Sequence, residues 1–340
     1  MHMTNHDRLL QRLTQAGFSE DLVQASLPDW WTSEDAESLS GRTFVSLLLS
    51  RRLSLDPESL LDDNVPVGFL HTGPTKFKHL RLGPGLQREA LTAYSQGVTR
   101  LVLAARQDEE VHPIPSATDL RRSLLESGSQ HVGFGDVLTA CWALGVPVLH
   151  LRLFPAATKG LTAMAVRLGA RHVILVARES GVAAQYMFHV AHELGHISLG
   201  HLKHTTAIID ADPHDEGAAN TLVDDQEEIK ADEFAQELLT GHSTFRVDRS
   251  SFPGVTGLGT ARELAARALE VGYQEHVDPG HVVMCFGETT GEWALAQAAA
   301  KLIPHQDEKP GTLVNKIFWA QMDELSEDQS ADFLRAVAPV

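Results

Sequence analysis

The chain has 340 residues, 43% of them hydrophobic, which suffices for a substantial core and for two or three subdomains. Its 28 lysines and arginines stand against 45 aspartates and glutamates, and the net charge of −17 argues against a protein that coats nucleic acid or anionic membranes. Two cysteines exclude a disulfide framework and a cysteine-based metal site. Because no signal segment or run of about 18 apolar residues is evident, we expect a cytoplasmic protein that does not span a membrane.

Residues 1–128 predict a mostly helical region whose role the sequence does not reveal. Apolar residues recur at helical spacing over 9–18 and 44–53. Residues 76–106 reverse the local charge, with six lysines and arginines against Glu89 alone, and form the one stretch in which contact with DNA is conceivable. No helix-turn-helix signature stands out there, so a salt-bridged surface within an acidic protein is the more economical interpretation.

The next region, residues 129–242, has the pattern of a compact α/β unit. A helix is expected just before this region, at 117–127, and another within it, at 134–144. Three β-rich runs follow the second helix, at residues 146–153, 162–168 and 171–177. Gly169-Ala170 separates the last two runs, a spacing typical of a hairpin. We therefore predict a small antiparallel sheet that leads directly into the helix at 182–200.

That helix contains the motif His192-Glu193-Leu194-Gly195-His196, an HExxH pattern. Residues i and i+4 of a helix lie about 40° apart around the axis and about 6 Å apart along it, so both imidazoles can bind one metal ion. Glu193 flanks the same face and can act as general base toward a water molecule at the ion. Ser180 is the predicted N-terminal cap, and Gly200 lies where the helix should end. A polar triplet on such an apolar helix is costly to bury unless a cation satisfies it.

A catalytic zinc site needs a third protein ligand. The metzincin pattern fails by one residue, because Leu199 and Leu202 stand where Gly and His are required, while His201 and His204 stay open as ligands in principle. Residues 226–239 form a second amphipathic helix on which Glu228 and Asp232 share a face at i, i+4 spacing. We predict that Glu228 binds the metal and that Asp232 hydrogen-bonds a ligating imidazole, as in the gluzincin class of peptidases.

The two helices together carry a family likeness. Phe188 to His196 reads F-x-x-A-H-E-x-G-H, and Glu228 to Ala235 reads E-x-x-A-D-x-F-A. The pair resembles the ImmA/IrrE family of metallo-endopeptidases over about residues 130–242, with Asp232 in place of the family's usual Asn. The resemblance implies a cytoplasmic, zinc-dependent protease that cleaves a helix-turn-helix repressor or similar regulator, and so releases gene expression under stress or in mobile elements.

Residues 243–340 predict a C-terminal helical region that shapes the substrate cleft or senses a signal. Helices are expected at 261–271, 278–286, 290–302, 315–322 and 329–337. The predicted fold is thus α+β and mainly helical, with a small antiparallel sheet packed on the HExxH helix and on a second ligand-bearing helix, flanked by helical regions at 1–128 and 243–340.

The leading functional hypothesis is peptide-bond hydrolysis at a zinc ion held by His192, His196 and Glu228, with Glu193 as the catalytic base. The sequence does not decide between zinc and manganese. An alternative from another class is a transcriptional regulator or interaction protein that binds DNA or a partner and retains a metalloprotease-like domain. A hydrolase of non-peptide amides is a more distant possibility.

Overall fold

The structure is a computed structural model that describes residues 4–70, 73–78, 86–106, 111–155, 160–211, 226–252, 260–303, 308–322 and 329–340. Arg81, part of the basic stretch, lies outside the described residues. The helices are α1 (Asn5–Gln15), α2 (Glu20–Ser26), α3 (Ser33–Glu37), α4 (Leu39–Leu53), α5 (Pro57–Leu61), α6 (Leu86–Ala104), α7 (Ala117–Glu126), α8 (Phe134–Ala143), α9 (Ala183–Ser198), α10 (Gln226–Thr240), α11 (Ala261–Glu275), α12 (Pro279–Thr290), α13 (Trp293–Ala300), α14 (Pro310–Gln321) and α15 (Gln329–Val337). The α+β, mainly helical class is confirmed.

The sheet is mixed, where the sequence predicted an antiparallel one. Its strands are β1 (Thr75–Lys78), β2 (Val148–His150), β3 (Leu161–Leu168), β4 (Arg171–Val176) and β5 (Ala207–Ala211), in the order β1-β5-β3-β4-β2. The predicted hairpin is present as antiparallel β3 and β4, joined at Gly169 with a φ of +64°. β2 and β1 are the edge strands and pair in parallel with β4 and β5. These parallel pairings connect segments far apart in the chain, so no local pattern predicted them.

Both faces of the sheet are covered, since successive side chains of its central strands are buried in two different cores. Ile174 and Val176 of β4 face a core that contains the apolar residues of α8 to α13. Val173 and Leu175 face a second core built from the N-terminal helices and α15. The N-terminal region thus packs against the sheet on the side opposite to α9, while the predicted division of the chain at residues 128 and 242 stays a prediction.

Helix α9 lies against α10 at close range, and Gly195 is the reason. A Cβ atom at this position would lie 3.1 Å from the Cβ of Phe234 and 3.2 Å from the carbonyl oxygen of Ala231. The small residues on both helices therefore permit the approach that brings the HExxH motif next to α10. Ile229, in the first turn of α10, is 37% exposed and is not part of this buried contact.

The ends of α9 match the sequence prediction at one end only. Gly200 follows the helix with a φ of +73°, a left-handed conformation that terminates helices. At the other end Val182 is the capping residue and makes no side-chain cap, so the prediction of Ser180 as the cap was wrong. Ser180 lies two residues too early, and its Oγ instead accepts a hydrogen bond from the backbone N–H of Val182 at 3.1 Å.

None of the helices in the described ranges combines the length and the apolarity that crossing a bilayer requires. The predicted C-terminal helices are present as α11 to α15, with boundaries shifted by a few residues. Among them, α14 packs against the outer strand β2 through Asn315. The side chain of Asn315 accepts a hydrogen bond from the His150 N–H at 2.8 Å and donates one to the His150 carbonyl at 2.9 Å.

Candidate metal centre

The two histidines of the motif meet as the helix spacing predicts. The Nε2 atoms of His192 and His196 lie 3.0 Å apart, and the residues are only 8% and 0% exposed. If both neutral rings carry their protons on Nδ1, both Nε2 atoms are acceptors, and a cation between them would satisfy both. The pair therefore has the arrangement expected of two ligands of one ion.

Glu228 of α10 reaches the same point. One carboxylate oxygen, Oε2, lies 3.5 Å from Nε2 of His192, and the other, Oε1, lies 3.5 Å from Nε2 of His196. Of the acidic residues in the second helix, the structure thus brings the predicted one to the histidines. Glu227 instead pairs with Lys76 at 2.6 Å.

A fourth side chain, Asp210 of β5, joins these three and was not identified from the sequence. Its Oδ2 lies 3.6 Å from Nε2 of His192 and 3.7 Å from Nε2 of His196. Asp210 follows Ile208 at an interval of two, so it faces α9 from the same side of the sheet. A sequence signal did exist: one acidic residue in an otherwise apolar strand, Ala207-Ile208-Ile209-Asp210-Ala211.

The donor set fits a divalent metal ion. Ligand atoms from His192, His196, Asp210 and Glu228 all lie within 4.8 Å of one another. Zinc binds nitrogen and oxygen at about 2.0–2.2 Å, which separates the donors of a tetrahedral site by about 3.3 Å. The measured separations from the imidazole nitrogens, 3.0 to 3.7 Å, are close to this value. Two imidazoles with carboxylates also suit manganese, so the donors do not identify the ion.

The remaining ring nitrogens of both histidines have partners of their own. Nδ1 of His192 lies 2.8 Å from Oδ1 of Asp232, which is the contact predicted for Asp232. Nδ1 of His196 lies 2.8 Å from Nδ1 of His201, a residue that the sequence left open as a ligand. Burial, and then the neighbouring His196, lower the pKa of His201 to about 4, so His201 is neutral and can accept a hydrogen bond. Both imidazoles are thereby turned with Nε2 toward the metal position.

Glu193 adjoins the donors without being one of them. It is 1% exposed, and among the described residues no donor is placed to hydrogen-bond either of its carboxyl oxygens. Burial, and then the nearby Asp210 carboxylate, raise the pKa of Glu193 well above its usual value. For Glu228 burial acts in the same direction, but the two histidines outweigh it and hold the pKa of its carboxyl well below the usual range.

A cavity of about 490 Å³ opens at these residues, with His192, Glu193, Asp210 and Glu228 in its wall. Phe188 of α9, Met284 of α12 and Trp293 of α13 contribute apolar surface, and polar residues such as Gln236 and His281 also line the cavity. Cavities of this size with convergent polar groups are typical of ligand sites.

The basic stretch at 76–106 is largely engaged within the protein. Lys78 extends its ammonium group to 3.4 Å from Glu228, and Lys76 pairs with Glu227. Arg88 lies over the ring of Phe77 at 5.1 Å, and Arg106 lies over Trp142 at 5.2 Å. The charge reversal in the sequence therefore serves internal contacts at these positions, as the salt-bridged interpretation proposed.

A small sheet, an HExxH helix and a carboxylate from the following helix together have the arrangement of a metallopeptidase-like domain. Residues 141–273 match the model of the family Peptidase_M78, the IrrE N-terminal-like domain. This part of the chain is therefore similar to the metallopeptidase domain of the ImmA/IrrE family, and the match runs from α8 into α11, past the predicted boundary at residue 242. Searches of curated proteins and of solved structures found no match.

Proposed function

We propose that this protein is a zinc-dependent endopeptidase, with His192, His196 and Glu228 as metal ligands and Glu193 as the catalytic base. The observation that carries the proposal is the position of Glu193. Its buried carboxyl group adjoins the metal donors, and no described protein donor is placed to hydrogen-bond it. A carboxylate needed only for structure would be paired, whereas a general base must have its oxygens available to water and substrate.

In the proposed reaction, the bound ion supplies Lewis acidity toward a peptide carbonyl and an attacking water. Glu193 removes a proton from that water and then delivers it to the nitrogen of the leaving amine. The burial of Glu193 favours its protonated form once it has taken the proton, which suits this shuttle. Asp232 and His201 hold the two imidazoles in the required tautomer and orientation.

We further propose that the substrate is a helix-turn-helix transcriptional repressor or a similar regulator, and that its cleavage derepresses genes. The support is the match of residues 141–273 to the IrrE-like family, together with a cavity of about 490 Å³ beside the metal donors. Contact with DNA is not part of the proposal, because Lys76 and Lys78 are already paired with carboxylates of α10.

The test is co-expression with the repressor-like protein encoded nearest to the gene. Wild type, Glu193→Gln and the matched control Glu233→Gln, an exposed glutamate of α10, are compared. Mass spectrometry should detect a specific fragment with wild type and Glu233→Gln but not with Glu193→Gln, while metal analysis finds one zinc in all three. If Glu193→Gln cleaved the substrate at the wild-type rate, the assignment of Glu193 would be wrong.

A further inference from the structure

We propose that Asp210 is a fourth protein ligand of the metal, so that in this conformation protein groups alone complete the coordination sphere. The inference rests on the proposed metal site and concerns whether a coordination position is left for water. Its first support is the burial of the Asp210 side chain. Asp210 is 6% exposed, lies on a strand whose other four residues are apolar and buried, and has no hydrogen-bond donor placed at either oxygen among the described residues.

A carboxylate in this position requires a counter-charge. Removing an ion from water without a partner costs several kcal/mol. The nearest lysine in sheet register is Lys78 of β1, paired with Asp210 along the backbone, but its ammonium group is directed to Glu227 and Glu228. A divalent ion between the histidines would meet this requirement, because Oδ2 of Asp210 is nearly equidistant from the two Nε2 atoms, at 3.6 and 3.7 Å.

Asp210 and Glu228 lie at similar distances from the two imidazole nitrogens. Glu228 lies 3.5 Å from each imidazole nitrogen, and Asp210 lies at most about 0.2 Å farther, close to the edge length of about 3.3 Å expected for a tetrahedral zinc site. These distances therefore give no reason to assign Glu228 as a ligand and to exclude Asp210. Structural zinc sites use four protein ligands, whereas catalytic ones keep a position for water.

Asp210 and Glu193 are both buried carboxylates in the wall of the same cavity, and an ion bound to Asp210 would neutralise one of these two charges. Because a site with four protein ligands leaves no position for water, the four-ligand form is a resting state, and catalysis would require Asp210 to leave the metal position.

If Asp210 is a ligand, its substitution should weaken metal binding, which can be measured independently of peptidase activity. Zinc affinity is measured by competition with a chelator for wild type, Asp210→Ala, the isosteric Asp210→Asn and the control Glu233→Gln. Loss of one ligand should lower the affinity at least about tenfold in Asp210→Ala, the lower end of what loss of an outer hydrogen bond costs. The Co²⁺-loaded protein should show the intense visible bands of a four-coordinate site, and these should shift in both Asp210 variants but not in Glu233→Gln.

The outcomes separate this inference from the proposed function. If Asp210→Ala and Asp210→Asn keep wild-type zinc affinity and the wild-type Co²⁺ spectrum, Asp210 is not a ligand, and the three-ligand site stands. If wild type itself binds neither ion, the proposed metalloprotease fails as well. Should Asp210→Ala fold poorly, the isosteric Asn variant and the Co²⁺ spectrum of the wild-type protein still decide, because a wild-type spectrum of a five- or six-coordinate ion overturns the four-ligand resting state.

Discussion

Oδ1 of Asp232 lies 2.8 Å from Nδ1 of His192, and this contact joins the two metal-binding helices through a side chain that is not itself in the donor group. The carboxylate accepts a hydrogen bond from the Nδ1–H group and leaves Nε2 free for an ion. The cost of losing such a contact is typically a 10- to 100-fold loss of metal affinity.

We therefore expect Asp232→Ala to lower zinc affinity by about 10- to 100-fold. Asp232→Asn should keep most of it, since the amide oxygen can still accept the hydrogen bond, and Asn is the residue usual at this position in the family that the sequence resembles. Chelator competition measures both, with the exposed neighbour Glu233→Ala as control. Equal losses in the Ala and Asn variants would show that the charge of Asp232, and not its hydrogen bond, supports the site.

The close approach of α9 and α10 makes Gly195 sensitive to substitution. Gly195→Ala would place a methyl group 3.1 Å from the Phe234 side chain and should reduce the free energy of unfolding by about 1 to 3 kcal/mol. The helices would move apart, so zinc affinity should fall too. The control is Gly135→Ala in α8, where a Cβ meets nothing within 4 Å.

In that control the substitution should raise stability by about 0.4 to 1 kcal/mol, because alanine reduces the entropy of the unfolded chain. Urea denaturation of the metal-free proteins gives both values. If Gly195→Ala is as stable as wild type and binds zinc equally well, the helix contact is looser than the structure indicates.

Asn315 attaches the C-terminal helix α14 to the sheet. It is fully buried, hydrogen-bonds both backbone groups of His150, and donates to the carbonyl of Pro339 at 2.7 Å. Asn315→Ala leaves these groups without partners and should cost about 2 to 4 kcal/mol. Gln321→Ala, on an exposed position of the same helix, should change little. Thermal and urea unfolding compare the two, and equal stabilities would contradict this role.

His131 and Asp278 form a pair whose effect depends on pH. Nε2 of His131 lies 3.4 Å from Oδ2 of Asp278, and the hydrogen bond to Asp278 raises the pKa of His131 against the opposing effect of burial. Because the folded-state pKa is raised, the contribution to stability is complete below the unfolded value of about 6.5 and is lost as pH rises through the folded pKa.

Asp278→Asn tests this pair without removing the helix cap, since Asn caps α12 as well as Asp does. The NMR titration of His131 should shift to a lower pKa in the variant. Wild type should be the more stable protein at pH 5.5 and lose that advantage, less than about 1 kcal/mol, toward pH 8. An unchanged His131 pKa would show that Asp278 does not interact with it.

The sequence by itself determined those parts of the site whose residues lie within one helix. The i, i+4 spacing brings His192 to His196 and places Glu228 and Asp232 on one face of α10. In a helix, this sequence spacing fixes the distance between the two side chains. The antiparallel hairpin was likewise readable, because Gly169 and Ala170 leave room for only a tight turn. Local patterns of this kind need no knowledge of the rest of the chain.

Only the tertiary structure decided which distant segments meet. Asp210 enters the site because β5 lies between β1 and β3, an order that depends on parallel pairing between residues more than 130 positions apart. The same pairing delivers Lys78 to Glu228, where the sequence offered only a basic stretch. Such contacts leave no periodic trace in the chain, since they depend on how whole elements pack. The two helices therefore predicted a three-ligand centre, and the packing of the sheet added a fourth candidate donor, the carboxylate of Asp210.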